Sequence, residues 1–319
     1  FSQKIILIIL EKTLTILGPT ASGKTTLAIE LAKVLNGEIV GLDSRQIYKG
    51  MSIGTAQPTE AEMAGVPHYL ISIRRPSESI SAGEYVQLVE EKIMQIKNKG
   101  KRPIICGGSG LYFRALNEGI FKGSTTDTVI RKKLEKEYSA NPIELLERLK
   151  IVDPDYAEIV HLNNKKRLIR ALEIYEKTGK PISEHFKMQK LKKIKTNTYF
   201  SIFLNWERSI LKERIRKRTK NMLRKGWIDE VKSLMRTNNC GSDQNIYMDS
   251  IGYKFIESYL MGQITKKEME DKIVIKTNQF SRRQKKWFEK ENIDLIIEMD
   301  NLDEKQLPEI LHCFLKSTI

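Results

Sequence analysis

Residues 13–31 read TLTILGPTASGKTTLAIEL, and this stretch decides the fold. A short apolar, β-branched run leads into Gly18-Pro-Thr-Ala-Ser-Gly-Lys24-Thr25, and a segment with helical apolar period follows. Strand, loop and helix in this order are the context that the pattern G-x-x-x-x-G-K-[ST] requires for binding phosphate. The backbone N–H groups of such a loop and the positive end of the helix dipole attract phosphate oxygens. The stretch therefore predicts a phosphate site without saying whose phosphate it holds.

Outward from this loop, apolar runs alternate with helical patterns through the first third of the chain. Strands are predicted at Leu14–Leu17, Ile39–Leu42, Tyr69–Ile73 and Pro103–Cys106, with helices near Lys24–Leu35 and Ala82–Lys99. Strands that alternate with helices at this spacing form a parallel sheet covered by helices on both faces. We therefore predict an α/β fold with a sheet like that of the P-loop NTPases.

The strand pattern is interrupted in the middle of the chain. Residues 121–195 are charged and helical in pattern, and YFSIFLN at Tyr199–Asn205 restores one strand. We predict a core of residues 13–120 and 196–319, with a helical C-terminal part, and an all-helical insertion domain at residues 121–195. Residues 1–12 are an N-terminal extension to which the sequence assigns no role.

Composition limits the class of protein. The chain has 319 residues, of which 40% are hydrophobic and 30% charged, as in an ordinary soluble protein. Its longest apolar run, Ile5–Leu10, is far shorter than the ~20 residues that span a bilayer, and it lacks a small-residue cleavage site. Three cysteines are too few for a disulfide framework. We expect a cytoplasmic protein without a membrane partner.

The net charge of +15 is concentrated in one part of the chain. Residues 165–236 contain 22 Lys or Arg and 7 Asp or Glu, so this window alone accounts for the excess. A localised positive field attracts a long polyanion such as RNA, and its binding weakens with salt. A solvated, lysine-rich surface would produce the same pattern.

Two further segments follow predicted strands. Residues 43–58 read DSRQIYKGMSIGTAQP, and residues 107–112 read GGSGLY. Because ligands collect at the carboxyl ends of parallel strands, Asp43 should face the phosphate loop. Asp43 could instead only cap the turn that follows it. The glycine pair could form a tight turn or let the backbone approach a ligand.

Together these segments resemble the tRNA dimethylallyltransferase family, also called tRNA isopentenyltransferases or IPP transferases. The resemblance covers residues 13–290 and is carried by GPTASGKT, DSRQIYKGMSIGTAQP and GGSGLYFRAL. Later blocks are NNKKRLIRALEIYEKTGKPIS, RIRKRTKNML, SIGYK and RRQKKWF. The resemblance implies transfer of a dimethylallyl group from its diphosphate to N6 of the adenosine 3′ of the anticodon, with Mg²⁺. It also implies that the phosphate loop holds a prenyl diphosphate in place of a nucleoside triphosphate.

The chemistry then assigns roles to residues near the loop. Asp43 would accept the proton of the adenine amine, and Lys24 would act at the diphosphate. The resemblance implies that Thr20 also contacts the diphosphate, near the bond that breaks. Arg214 and Arg218, one helical turn apart, would either reach the diphosphate or bind the RNA backbone. Thr25 is the candidate ligand of Mg²⁺. The predicted diphosphate-binding residues are Gly18, Pro19, Thr20, Ala21, Ser22, Gly23, Lys24, Thr25, Arg214 and Arg218.

A base stacked in a loop must turn out before it can be modified, so the site needs RNA-contacting residues. The predicted tRNA-binding residues are Asp43, Ser44, Arg45, Gln46, Lys166, Arg167, Arg170, Arg282, Arg283 and Gln284, and the resemblance implies that Ser109 and Arg131 also contact RNA. For each basic side chain, solvated surface is the alternative. In RRQKKWF the aromatic residues could stack on bases, or they could form an apolar helix stripe with Phe280.

Three other functions share some of these features. A prenyltransferase acting on free adenine nucleotides has the same chemistry but needs no basic insertion. A small-molecule P-loop kinase that binds ATP has the same loop but no use for DSRQ. A non-enzymatic RNA-binding protein would show no turnover. We favour the tRNA enzyme, with the tRNA anticodon stem-loop and dimethylallyl diphosphate as partners, acting as a monomer.

Overall fold

The computed structural model describes residues 12–119, 126–191, 198–238 and 246–300, together with residues 302, 306 and 307. The chain divides into two compact units. One comprises Phe1–Ile80, Gln87–Phe113 and Asn197–Ile319, and the other comprises Ser81–Val86 and Arg114–Thr196. Residues 1–11 of the predicted N-terminal extension lie outside the described residues. In the part of the chain that the structure describes, no helix is long and apolar enough to cross a membrane.

The first unit is built on a parallel sheet. Its six strands within the described ranges are β1 Thr13–Leu17, β2 Gly37–Leu42, β3 His68–Tyr69, β4 Arg102–Gly107, β5 Tyr199–Asn205 and β6 Leu295–Glu298. Their order across the sheet is β3-β2-β4-β1-β5-β6, and every neighbouring pair is parallel. This confirms the predicted P-loop-like α/β fold.

Helices connect and follow these strands. Numbered along the chain, they are α1 Lys24–Val34, α2 Glu60–Met63, α3 Ala82–Asn98, α4 Gly110–Glu118, α5 Thr128–Ala140, α6 Pro142–Val152, α7 Pro154–Ala157, α8 Lys165–Thr178, α9 Ile182–Leu191, α10 Arg208–Arg224, α11 Trp227–Asn238, α12 Tyr253–Leu260 and α13 Lys266–Phe288. A short 3₁₀ helix covers Ile246–Asp249. Between β5 and β6, the residues that the structure describes lie mostly in helices.

The strands are apolar because both faces of the sheet are covered. All residues of β1 and β2 are buried, as are five of the six in β4. The buried side chains of Leu14, Ile16 and Ile104 belong to one core cluster with those of α1 and β5. Burial on both faces explains why these strands read as continuous apolar runs.

Two edge strands differ from the prediction. The strand predicted at Tyr69–Ile73 was wrong beyond Tyr69, because Leu70 (φ 62°) and Ser72 (φ 52°) adopt left-handed backbone that ends it. Strand β6 pairs with β5, for example Phe203 with Ile296, and was not predicted.

The second unit contains helices α5–α9, and the described residues between 126 and 191 include no strand. Its core is formed by Leu134, Leu149, Leu168 and Leu172. Polar side chains begin its helices: Asp127 accepts from the first turn of α5, and Asn141 caps α6. The all-helical character of the insertion is therefore confirmed.

Candidate functional site

Three predicted motifs meet at one edge of the sheet. The Gly18–Thr25 loop follows β1, Asp43 follows β2, and Gly108 follows β4. Strand β4 pairs with β1 on one side and with β2 on the other, so the three strands are adjacent and parallel. Their carboxyl ends therefore bring the three segments together, at the place where parallel sheets bind ligands.

The loop has the backbone of an anion site. Ala21 (φ 66°) and Gly23 (φ 88°) adopt left-handed conformations, and α1 begins directly at Lys24. No side chain caps the first turn of α1, which leaves its N–H groups directed at the loop. A Cβ on Gly18 would lie 2.5 Å from the Ser22 hydroxyl oxygen, so the Ser22 side chain would have to move to admit any other residue there.

Distant side chains hold the loop in this conformation. The Thr20 N–H donates to Gln284 Oε1 at 2.8 Å, and the Trp206 ring N–H donates to the Ser22 carbonyl at 2.9 Å. Arg214 Nε donates to the Ala21 carbonyl at 2.8 Å, and its guanidinium lies 4.3 Å from the centre of the Trp206 ring. The Arg214 guanidinium therefore helps to hold the phosphate loop through its Nε group.

Cationic groups line the loop. Lys24 Nζ donates to the Pro19 carbonyl at 3.1 Å, and Arg218 Nη1 donates to Thr20 Oγ1 at 3.0 Å. Burial lowers the pKa of the Lys24 ammonium and of the Arg218 guanidinium, while the nearby Asp43 carboxylate acts in the opposite direction on both pKa values. An anionic ligand placed between these cations would offset the cost of burying them.

Cys106 lines the larger cavity together with the phosphate loop, and its thiol is unreactive. Burial raises the pKa of its thiol to about 11, against opposing effects of Lys24 and a hydrogen bond with Thr25. A thiol with this pKa is protonated at neutral pH, so Cys106 is no nucleophile.

Asp43 caps a turn, as the alternative interpretation proposed. Its Oδ1 accepts from the N–H groups of Arg45 at 2.8 Å and Gln46 at 3.3 Å. The Asp43 side chain also lines the cavities described below, so capping and chemistry are compatible at this position.

Ser44 and Arg45 line the smaller of these cavities and Gln46 lines the larger, while the Gln46 side-chain amide also bonds back to its own segment. Gln46 Nε2 donates to the carbonyls of Thr55 at 3.2 Å and Ala56 at 3.0 Å. Gln57 Nε2 in turn donates to the Gln46 carbonyl at 2.7 Å. Gln46 was predicted to read the base, and these bonds assign its amide group a structural role.

The glycine pair permits close approach of other groups. A Cβ on Gly107 would lie 2.0 Å from the Leu42 carbonyl oxygen, and one on Gly108 would lie 2.5 Å from Gln284 Nε2. Neither residue has positive φ. Ser109, which follows the pair, lines the same cavity as Ser44.

Helix α13 carries side chains with different environments. Gln284 is 7% exposed and bridges Thr20 N–H and the Gly108 carbonyl, each at 2.8 Å. Its amide thus contacts the protein, and Gln284 also lines both cavities described below, so its contact with RNA stays a prediction. Arg282 and Arg283 are exposed, and the Arg283 guanidinium lies 5.9 Å from the centre of the Phe280 ring. Phe288 packs in the core against Phe113 and Phe203, which supports the apolar-stripe interpretation for that residue.

In the second unit, the predicted RNA-binding residues fall into two groups. Arg131 and Arg170 pair with the fully buried Glu173 carboxylate at 2.9 Å and 3.0 Å. These two side chains therefore stabilise the fold of the unit, a role that we did not predict. Lys166 and Arg167, in the first turn of α8, are exposed.

Two cavities border these residues in the first unit. The larger, about 1080 Å³, is lined by the phosphate loop, Arg214 and Arg218. The smaller, about 510 Å³, is lined by Ser44, Ser109 and Phe280, among others. The linings share Thr20, Asp43, Arg218, Met222, Phe280 and Gln284. The two cavities therefore meet at two of the three predicted catalytic residues, Thr20 and Asp43, whereas Lys24 lines only the larger one.

Residues that sequence reasoning missed are those with long-range contacts. Trp206 holds the phosphate loop, and Glu230, Trp227 and Tyr253 hold the segment after Asp43. Gln284 was predicted as a site residue, but its bond to the loop was not. No local pattern predicts such contacts. The only signal was the presence of SIGYK and RRQKKWF among the motifs.

The chain is similar to known proteins over nearly its whole length. A family model described as IPP transferase matches residues 46–291. A tRNA dimethylallyltransferase of Acetivibrio thermocellus is 43% identical over 288 residues, which are 89% of this chain and 91% of the relative. One of Anoxybacillus flavithermus is 40% identical over 95% of this chain and 96% of the relative.

Two solved structures of transferases are also similar to this chain. The crystal structure of a tRNA isopentenylpyrophosphate transferase from Bacillus halodurans has a TM-score of 0.68 at 35% identity, covering 97% of this chain and 96% of that one. A eukaryotic dimethylallyltransferase described as acting on tRNA has a TM-score of 0.78 at 26% identity, covering 96% of this chain and 78% of that one.

Proposed function

Because this chain belongs to the IPP transferase family, we propose that it transfers a dimethylallyl group from dimethylallyl diphosphate to N6 of the adenosine 3′ of the tRNA anticodon, position 37. The observation that carries this proposal is the meeting of two cavities at Thr20, Asp43 and Arg218. One cavity has the lining of an anion site, and the other has polar and aromatic walls suited to a base. A reaction between a diphosphate ester and a base needs this arrangement.

The diphosphate is the ligand proposed for the larger cavity. The N–H groups at the start of α1, with Lys24 and Arg218, supply positive charge where negative charge develops on the leaving group. Arg218 also donates to Thr20 Oγ1, which keeps that hydroxyl beside the bond that breaks. Arg214 is less available, since its Nε is bonded to the loop. We therefore assign the direct diphosphate contact to Arg218.

The acceptor base is proposed to enter the smaller cavity. Asp43 lies at the junction, so its carboxylate can accept a hydrogen bond from the adenine amine and then its proton. In the step, the bond from N6 to the allylic carbon forms, the carbon–oxygen bond to diphosphate breaks, and the proton passes to Asp43. Phe280 and Ser109 are suited to stacking and edge contact with a base.

Magnesium fits the donor set of the loop. Mg²⁺ prefers oxygen ligands and is bound in phosphate sites by few protein groups together with the phosphates. The Thr25 hydroxyl and the Ser22 hydroxyl, which is buried and has no hydrogen-bond partner among the described residues, are such donors. The part of the chain that the structure describes includes no cluster of three His, Cys, Asp or Glu side chains that could hold a metal. Bound there, Mg²⁺ would neutralise charge on the diphosphate.

Exposed basic residues are proposed to hold the tRNA. Lys166, Arg167, Arg282 and Arg283 are the leading candidates, because their side chains are exposed. The contacts of Arg131, Arg170 and Gln284 with tRNA stay predictions. Since tRNA is the acceptor, we place the reaction in the cytoplasm. Both cavities are lined by this one chain, so a monomer suffices.

The test is a transfer assay with matched acceptors. The protein, Mg²⁺ and dimethylallyl diphosphate are incubated with unmodified tRNA, or with AMP or ATP, and the digested nucleosides are analysed by mass spectrometry. We expect one C5H8 group on adenosine from tRNA only. Prenylation of AMP or ATP would favour the free-nucleotide enzyme, and phosphoryl transfer from ATP would favour a kinase.

A further inference from the structure

We propose that Glu230 is a positioning residue for the reaction, a role that rests on the proposed function. Its carboxylate accepts from the backbone N–H groups of two consecutive residues, Ile53 at 2.6 Å and Gly54 at 2.9 Å. It also accepts from the hydroxyls of Ser52 at 3.3 Å and Tyr253 at 2.8 Å. We call this arrangement of one carboxylate and four donors the Glu230 clasp.

The clasp is rigid because large side chains enclose it. Trp227 and Tyr253 are fully buried, with ring centres 5.8 Å apart at nearly a right angle. A Cβ on Gly54 would lie 2.2 Å from Trp227 Nε1 and 2.4 Å from the Tyr253 hydroxyl oxygen. Burial and the adjacent Glu230 carboxylate raise the pKa of Tyr253, so its hydroxyl remains a donor. The segment that contains Gly54 can therefore pack against these two rings in only one position.

The clasp connects to Asp43 through hydrogen bonds. The clasped segment continues to Thr55 and Ala56, whose carbonyls accept from Gln46 Nε2. Gln46 N–H is one of the two donors that fix the Asp43 carboxylate. Glu230 thus sits three contacts from the proposed base, through a segment that lines both cavities.

Charge is what makes the clasp effective. A carboxylate accepts two adjacent N–H groups and two hydroxyls without offering any donor of its own, and charge-assisted bonds are stronger than neutral ones. In Glu230→Gln the amide nitrogen would face donors, so at least one N–H of the pair would lose its acceptor. The phosphate loop is held by other residues, Gln284 and Trp206, and should keep its shape.

The experiment compares Glu230→Gln with Asp229→Asn, a neighbouring carboxylate that is 77% exposed and pairs only with Lys232 among the contacts described. Tyr253→Phe, which removes one hydroxyl donor, is the milder companion variant. Both kcat and KM are measured for tRNA and for dimethylallyl diphosphate, well below the melting temperature of each variant. Hydrogen exchange of peptides covering residues 47–58 reports the clasp without any substrate.

We expect Glu230→Gln to lower kcat ten- to a hundredfold, leave the KM for dimethylallyl diphosphate within threefold, and speed exchange in residues 47–58. Tyr253→Phe should lower kcat less, and Asp229→Asn should match wild type. A lower melting temperature with unchanged kcat would mean that Glu230 is only structural and would overturn the proposal. An inactive wild type would overturn the proposed function and this role together, whereas an active wild type with an equally active Glu230→Gln would overturn this role alone.

Discussion

Asp43 combines two tasks in one side chain. Its Oδ1 caps the Arg45–Gln46 turn, and the carboxylate faces the junction of the cavities. A substitution to alanine would remove both tasks at once and could not separate them. Asparagine keeps an oxygen acceptor for the turn but cannot take up a proton at neutral pH.

We therefore expect Asp43→Asn to lower kcat by about 10²- to 10⁴-fold, the usual contribution of a general base. The melting temperature and tRNA affinity should stay close to those of wild type, because the turn keeps its cap. Thermal unfolding, filter binding and single-turnover transfer measure the three quantities. An equal loss of tRNA affinity and of turnover would mean that Asp43 has a structural role and is not the base.

The variant Gln284→Ala can distinguish a role of this residue in holding the phosphate loop from a role in binding RNA. It bridges Thr20 and Gly108, so Gln284→Ala removes two bonds to the backbone beside the phosphate loop. We expect the KM for dimethylallyl diphosphate to rise at least tenfold, with tRNA affinity within twofold of wild type. Arg282→Ala, two residues away on an exposed position, should give the opposite pattern. A tRNA defect in Gln284→Ala with a normal donor KM would restore its predicted contact with RNA.

At the scale of elements, the strands of the sheet were predictable and its edges were not. Strands β1, β2, β4 and β5 are apolar runs because two covered faces demand apolar side chains. Strand β3 has two residues, and β6 alternates burial along a four-residue edge, so neither carries a long pattern. The positive φ of Leu70, which ends β3, has no local signal in a branched apolar residue.

The second residue of strand β2 is charged, and the fold buries it. Glu38 is 2% exposed, and Lys101, Lys99 and the Tyr69 hydroxyl donate to its carboxylate. Burial alone would raise its pKa, but the hydrogen bonds from Lys101, Tyr69 and Lys99 prevail and lower the pKa of Glu38 to about 2. A carboxyl whose pKa falls on folding stabilises the folded state above its unfolded pKa of 4.5.

Glu38→Gln should therefore reduce the free energy of unfolding by about 2 to 3 kcal/mol at pH 7. The difference from wild type should hold down to about pH 5 and shrink between pH 4.5 and 2, as the carboxyl of the wild type becomes protonated. Urea unfolding of both proteins at pH 7 and pH 3.5 measures it. A difference that grows on acidification would contradict this account.

At the scale of the whole molecule, the sequence motifs predicted which segments meet at one edge of the sheet, but not which distant side chains contact them. The three motifs lie at the ends of adjacent strands, as parallel topology requires. Partners far apart in sequence, such as Thr20 with Gln284 or Arg131 with Glu173, decide whether a side chain can reach a ligand. That information comes only from the folded chain, which is why the sequence did not predict the protein contacts of Gln284 and Arg131.

The salt dependence of tRNA binding tests whether the basic residues within 165–236 contact the tRNA. Lys166 and Arg167 are exposed, and a phosphate contact contributes a slope of about −0.7 to −0.9 to log K against log salt. We expect the double variant Lys166→Glu, Arg167→Glu to bind tRNA at least tenfold more weakly at low salt, with a slope shallower by about 1 to 2. Titrations from 50 to about 300 mM salt measure both quantities.

Lys97 provides the matched control for this prediction. It lies in the last turn of α3, which leads into the amino end of β4, at the sheet edge opposite the phosphate loop. Lys97→Glu changes the net charge per site as the test variants do, but should leave the slope unchanged. If Lys97→Glu and the double variant lose affinity in proportion to charge alone, the tRNA senses only the overall field. A selective loss at Lys166 and Arg167 would instead place phosphates against the first turn of α8.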